Sequence, residues 1–224
     1  MRRSVPPSMT TTRILHLHPD NPQPRLVKQV AQAILEGAVV ATPTDASTAL
    51  VWRLGEREPL DRVRRLRGLD ERHLMTLLCR DLSQLSVYAS INTRQFRFLK
   101  EWAPGPYTFV LPASREVPRR LLHPSRRTLG LRVPDSVLLR ALLEAVGEPL
   151  LGTTLQLPEE EGVLVDSALI AERLRGRIEW VLDCGAGGAQ PTTVIDLTGD
   201  EPVVTRIGRG PVEAMLGRLI ESGQ

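Results

Sequence analysis

Only two cysteines occur in 224 residues, Cys79 and Cys184, and neither has a second thiol nearby, which excludes a CxxC metal or redox centre. Aromatic residues make up 4% of the chain, too few for a platform on which single-stranded nucleic acid would stack. No apolar run approaches the roughly 18 residues that a membrane helix requires. The opening Arg2-Arg3 leads into Ser, Pro and Thr rather than the apolar core of a signal peptide. These absences point to a protein of the reducing cytoplasm, away from membranes. There is also no GxGxxG after the first expected strand, no GxxxxGK[ST] and no GxSxG. Rossmann cofactors, P-loop hydrolysis and the α/β-hydrolase elbow therefore have no support. The four histidines, His16, His18, His73 and His123, lack HExxH or paired-ligand spacing, so no metal ligands are assigned.

What is present is enough apolar residue, 42%, for one substantial core. Residues 1–12 are rich in Pro, Ser and Thr without periodicity and read as a disordered extension, or as an upstream start before Met9; residues 13–224 read as the single folded domain. The net charge is only +3, but of the 29 lysines and arginines all except Lys28 and Lys100 are arginine. Arg62, Arg64, Arg65, Arg67 and Arg72 form one cluster and Arg115, Arg119, Arg120, Arg126, Arg127 and Arg132 another, while Glu159 to Glu161 form an acidic stretch. Such asymmetry favours an anionic ligand, nucleotide or nucleic acid; taken singly, each arginine is also what a solvated helix face would carry.

Periodicity predicts strands over residues 14–18, 38–42, 74–79, 107–111, 128–133, 150–154, 178–183, 193–197 and 203–207. Helices are expected over 24–36, 59–68, 135–146, 167–174 and 211–220, with Asp81 and Asn92 capping two more. Strands interleaved with helices argue for an α/β sheet. The strand-rich end argues for some antiparallel pairing. Polar turns stand beside these strands: Pro43-Thr44-Asp45, Pro104-Gly105-Pro106-Tyr107-Thr108, Arg132-Val133-Pro134, Gly152-Thr153-Thr154 and Pro191-Thr192-Thr193. Hydroxyls, Gly backbone and guanidinium groups at strand ends suit a phosphate-bearing ligand more than covalent catalysis. Cys79, at the end of an apolar strand, reads as a small hydrophobe before it reads as a nucleophile.

In this order the motifs resemble the YrdC/YciO family of threonylcarbamoyl-AMP synthase-like proteins. The family's Pro-Thr-[Asp/Glu] is here Pro43-Thr44-Asp45, and its Pro-Gly-Pro-x-Thr ends on Thr108. Its Arg-x-Pro starts at Arg132, its Ser/Thr-Thr-Val-[Val/Ile]-Asp runs from Thr192 to Asp196, and its Arg-x-Gly starts at Arg206. The His18 to Pro22 opening looks most like the YciO subgroup. The resemblance implies a single, twisted mixed sheet with a positively charged concave groove. It also implies a nucleotidyltransferase that joins threonine, bicarbonate and ATP, with Mg2+, into threonylcarbamoyl-AMP for tRNA modification. By motif, Thr44 would contact threonine, while Arg67, Arg132, Thr153, Thr154, Gln156, Thr192, Thr193 and Arg206 would bind the ATP or AMP.

The chain departs from the synthases at three places. Arg67-Gly68-Leu69-Asp70 stands where they carry Lys-x-Arg, Thr153-Thr154-Leu155-Gln156 where they carry Thr-Ser-Ala-Asn, and Thr48 where they carry Tyr or Phe. The departures imply weak or altered synthase activity. Two other readings remain open at this level: a non-catalytic double-stranded RNA-binding module, and a hydrolase that admits water to the adenylate where Leu69 replaces a cation.

Overall fold

The computed structural model describes residues 11–70, 73–185 and 187–213. Ten strands form one sheet: β1 (Arg13–His16), β2 (Val40–Thr42), β3 (Ala49–Arg53), β4 (Thr76–Leu78), β5 (Tyr107–Pro112), β6 (Thr128–Arg132), β7 (Leu150–Thr154), β8 (Trp180–Asp183), β9 (Thr193–Asp196) and β10 (Val203–Arg206). Their order is β1-β8-β2-β3-β7-β4-β6-β5-β9-β10. The pairs β1·β8, β2·β8, β4·β6 and β5·β9 are parallel and the rest antiparallel, so the sheet is mixed as expected.

Among the described residues six α-helices flank it: α1 (Pro24–Leu35), α2 (Arg57–Arg67), α3 (Leu82–Tyr88), α4 (Thr93–Trp102), α5 (Val137–Val146) and α6 (Ser167–Arg173). Local chemistry sets their ends. Pro24 sits at the first turn of α1, where its missing N–H costs nothing. Asp81 caps α3, and Asn92 and Gln95 form a reciprocal capping box on α4. Gly68, at φ 61°, ends α2 in the left-handed region, so that Arg67 is its last helical residue.

The two faces of the sheet are covered unequally, and that decides where a ligand can go. One face packs Leu50, Trp52, Leu77, Phe109, Leu131 and Leu151 beneath helices that include α2, α4 and α6. On the other, α1 and α5 bury Val30, Ile34, Leu139 and Leu142 against Val40, Val51, Leu150 and Trp180. The strands that follow in sheet order, from β4 to β9, keep much of this second face open.

Several expectations shift. Strand β3 was not anticipated: its residues Ala49 to Trp52 are buried on both faces, so they show no alternation for periodicity to detect. The extension expected over residues 1–12 lies mostly outside the described residues; at its end the Thr12 hydroxyl bonds the carbonyls of Leu174 and Ile178 and accepts from the Gly176 N–H. The helix expected over 211–220 lies mostly outside the described residues. Among the described residues, no helix is long and apolar enough to cross a membrane.

Candidate functional site

The open part of the second face holds a cavity of about 580 Å³. Its floor is made by alternate residues of five strands: Thr76 and Leu78, Thr108 and Val110, Gly130 and Arg132, Gly152 and Thr154, and Val194, with Thr192 just before β9. Side chains alternate across a strand, so the intervening Leu77, Phe109, Leu131, Leu151 and Ile195 enter the core on the far side. Two glycines keep the floor low. A Cβ on Gly130 would stand 3.0 Å from Thr108 Cγ2, and one on Gly152 would stand 3.0 Å from Leu78 Cδ1.

Arg67 and Arg206 enter this cavity from its walls. The end of α2 at Gly68 lets Arg67 reach β7, where Nη1 donates to Thr153 Oγ1 at 2.5 Å and Nε donates to the Gln156 carbonyl at 3.1 Å. Those bonds use two of the five N–H donors of a guanidinium. Arg206 is aimed by a β-bulge. Val203 and Val204 pair with Asp196 and Ile195, then the register slips at Thr205 so that Arg206 faces Val194. Its Nε and Nη2 donate to the Thr192 carbonyl at 3.1 and 2.9 Å, and Nη2 also reaches Thr192 Oγ1 at 3.1 Å. Thr192 Oγ1 in turn lies 2.8 Å from Thr108 Oγ1. Burial lowers both guanidinium groups from their usual values, but a guanidinium remains charged across the physiological range. Neither forms an ion pair with a described carboxylate.

Of the residues expected to bind nucleotide, Arg67, Arg132, Thr153, Thr154, Gln156, Thr192 and Arg206 thus line one cavity. Three of the motif residues are turned to other work. Arg132 touches the cavity but is buried, and its Nη2 pairs with Asp45 and approaches Thr44 Oγ1 at 3.4 Å; burial lowers its guanidinium while Asp45 opposes the shift. Thr193 is fully buried outside the cavity lining, donating to the Gly210 carbonyl at 2.6 Å and accepting from the Gly208 N–H at 2.9 Å, which ties down the segment after Arg206. Thr44 is likewise absent from the lining. Its hydroxyl donates to the Ser47 carbonyl and accepts from the Ala46 N–H, closing its own turn.

Leu69 packs against the core beside α2 instead of lining the cavity. Cys79 is fully buried and desolvation raises its thiol far above the usual range, which removes it as a nucleophile. His16 meets Asp183 at 3.1 Å on the surface, a carboxylate partner the sequence did not reveal. His18 Nδ1 accepts from the N–H groups of Asp20 and Asn21. The sequence reading missed Ser47 and His73 as lining residues, and it named Thr108 in a polar turn without assigning it to the ligand. The signal was available for Thr108, two residues from Val110 on one strand face; His73 lies in a loop, where no period applies.

The profile of the Sua5/YciO/YrdC family, described as telomere recombination, matches residues 32–208, which includes every strand that floors the cavity. The chain belongs to the Sua5/YciO/YrdC family. Its similarity to YciO of Escherichia coli K12 is 44% identity over 205 residues, covering 92% of this chain and all of that one. The crystal structure of E. coli YciO superposes with a TM-score of 0.86 over 90% of this chain and 98% of that one. A threonylcarbamoyl-AMP synthase of Chromohalobacter salexigens is 32% identical over 183 residues, 79% of this chain and 95% of that one. The crystal structure of P. abyssi Sua5 complexed with L-threonine matches with a TM-score of 0.83 at 26% identity, over 92% of this chain and 60% of that one.

Proposed function

We propose that this family member is a YciO-type nucleotidyltransferase whose cavity takes the phosphate and adenosine of ATP or AMP between Arg67 and Arg206. It would convert threonine, bicarbonate and ATP weakly, or with an altered acceptor, by threonylcarbamoyl-AMP chemistry in the service of tRNA modification in the cytoplasm. The observation that carries this reading is the convergence of Arg67, Thr153, Thr192 and Arg206 on one open cavity, two guanidinium groups and two hydroxyls anchored to one another. In such a reaction a carbamate oxygen attacks the α-phosphorus and pyrophosphate leaves. The protein's task is to align the groups and neutralise developing charge, which guanidinium donors fixed by hydrogen bonds do without reorganising. The similarity to a P. abyssi Sua5 that was crystallised with L-threonine supports an amino acid as the second substrate.

Among the described residues no carboxylate lines the cavity, and no group of three acidic, His or Cys side chains could hold a metal. The residues present do not fit a protein-held magnesium ion. Mg2+ would enter ligated by the triphosphate and water.

The test is calorimetry with AMP and ATP, followed by pyrophosphate release with ATP, Mg2+, bicarbonate and threonine. Replacing Arg67 by Met removes a charge-assisted hydrogen-bond donor, worth about 1.5–3 kcal/mol, so nucleotide affinity is expected to fall about tenfold to a hundredfold. Unchanged affinity in Arg67→Met would overturn the placement of the phosphate.

A second reading, duplex RNA binding, is favoured by the segment between β5 and β6. Arg115, Arg119, Arg120, Arg126 and Arg127 are exposed there while Val117 and Leu121 anchor the segment in the core. Arg127 holds φ 54°, unusual for a residue with a side chain. Affinity for a 16-base-pair duplex is expected to drop steeply with salt, and the Arg119→Ala, Arg126→Ala double variant to reduce the salt slope by about 2. A salt-independent affinity, or none at low salt, removes this reading. Adenylate hydrolysis loses its motive, because Leu69 packs on the core rather than on the cavity.

A further inference from the structure

Among the described residues lining the cavity, His73 is the one whose side chain can exchange a proton near neutral pH, the other ionisable lining groups described being Arg67, Arg132 and Arg206. It sits in the loop that leads from α2 to β4. Its position is set from the backbone: the His73 N–H donates to the carboxylate of Asp70 at 3.0 Å and approaches the Asp70 carbonyl at 3.3 Å. His73 is exposed to solvent and forms part of the cavity lining. We propose that His73 is a third phosphate ligand of the cavity, taking up a proton as the phosphate enters between Arg67 and Arg206. This rests on the nucleotide reading given above and names the group that completes its anion site.

The argument is electrostatic. In the empty cavity, desolvation is the largest influence on His73 and Arg67 the next, and both hold the imidazole below its ordinary range. Asp70, on its own loop, comes third and opposes them, while Arg206 from β10 and Arg64 from α2 act in the lowering direction with smaller effect, so the net shift is downward. The imidazole is therefore neutral at pH 7 and adds no charge to a cavity that already holds guanidinium groups. A phosphate reverses the field, because it carries a charge of about −1.5 to −2 at neutral pH. Imidazolium then becomes a donor to an anion instead of a like charge beside two cations. Leu69, four residues before His73, packs against the core and adds nothing to the cavity, so His73 is the residue of this loop that supplies a charge when an anion is there to meet it.

The sign follows from linkage. A group that gains a proton on binding makes affinity rise as pH falls, by at most about tenfold per pH unit for one linked proton, between the pKa of the empty state and that of the filled state. AMP itself titrates near pH 6, so the decisive quantity is the difference between the full chain and its His73→Gln variant. AMP affinity is measured by calorimetry from about pH 8 to about pH 6, in buffers of different ionisation enthalpy that reveal the protons taken up. The expected result is proton uptake at pH 7 that His73→Gln loses, with an affinity gain toward pH 6 at least about threefold larger in the unmodified chain. Equal uptake and equal pH slopes in the two proteins, with AMP bound by both, would overturn the role of His73 and leave the nucleotide reading standing. Absence of AMP and ATP binding at every pH would bring down both.

Discussion

Arg132→Met is expected to destabilise the protein by about 3–5 kcal/mol, the cost of leaving one partner of a buried ion pair unpaired. The side chains of Arg132 and Asp45 are 6% and 11% exposed, so removing the guanidinium strands the Asp45 carboxylate where water cannot replace the lost partner. Asp45 Oδ2 and Arg132 Nε are buried without hydrogen-bond partners even with the pair intact, so the turn has no spare contact to fall back on. In a domain of this size the loss corresponds to about 6–20 °C in melting temperature. The double variant Asp45→Leu, Arg132→Met removes both charges and is expected to recover most of the stability, because a buried pair and its apolar replacement are often nearly equivalent. Urea denaturation of the two proteins decides the matter. A single variant within about 1 kcal/mol of the parent would mean that solvent reaches Asp45.

Gly208→Ala is expected to abolish most nucleotide binding while the sheet still folds. A Cβ at Gly208 would fall inside the envelope of the Pro191 carbonyl and of the Thr192 backbone, which are not flexible side-chain ends that can move aside. The backbone must separate there, and Gly208 N–H would leave Thr193 Oγ1. Overpacking of this kind costs about 1–3 kcal/mol. The consequence for function is larger, because Arg206 is held in the cavity by the same Thr192 carbonyl that the new methyl displaces. AMP affinity is expected to fall at least about tenfold with a melting transition that stays cooperative. Full affinity in Gly208→Ala would mean that Arg206 is placed by the bulge at Thr205 alone.

Much of the site was legible before the fold. The motifs that hold Thr108, Arg132, Thr154 and Arg206 stand beside strands, and the structure brings these four residues to one cavity. What those residues do was legible less often. Arg132 carries its motif faithfully yet is engaged by Asp45, 87 residues away. Thr193 looks interchangeable with Thr192 in sequence, but the strand alternation sends Thr192 to the cavity and Thr193 to the carbonyl of Gly210. Thr44 turned inward on its own loop for the same kind of reason: an ST-type turn satisfies its hydroxyl locally.

The amino-acid sequence by itself determined the α/β class, the helix caps at Asp81 and Asn92, the stop at Gly68 and the order of the polar turns, all of which depend on residues within a few positions of one another. The tertiary structure alone decided the sheet order, the face left open where α1 and α5 do not reach, the bulge that aims Arg206, the packing of Leu69 against the core and the arrival of His73 at the cavity. These depend on strands far apart in the chain meeting in one order out of many, and local propensity carries no information about that choice.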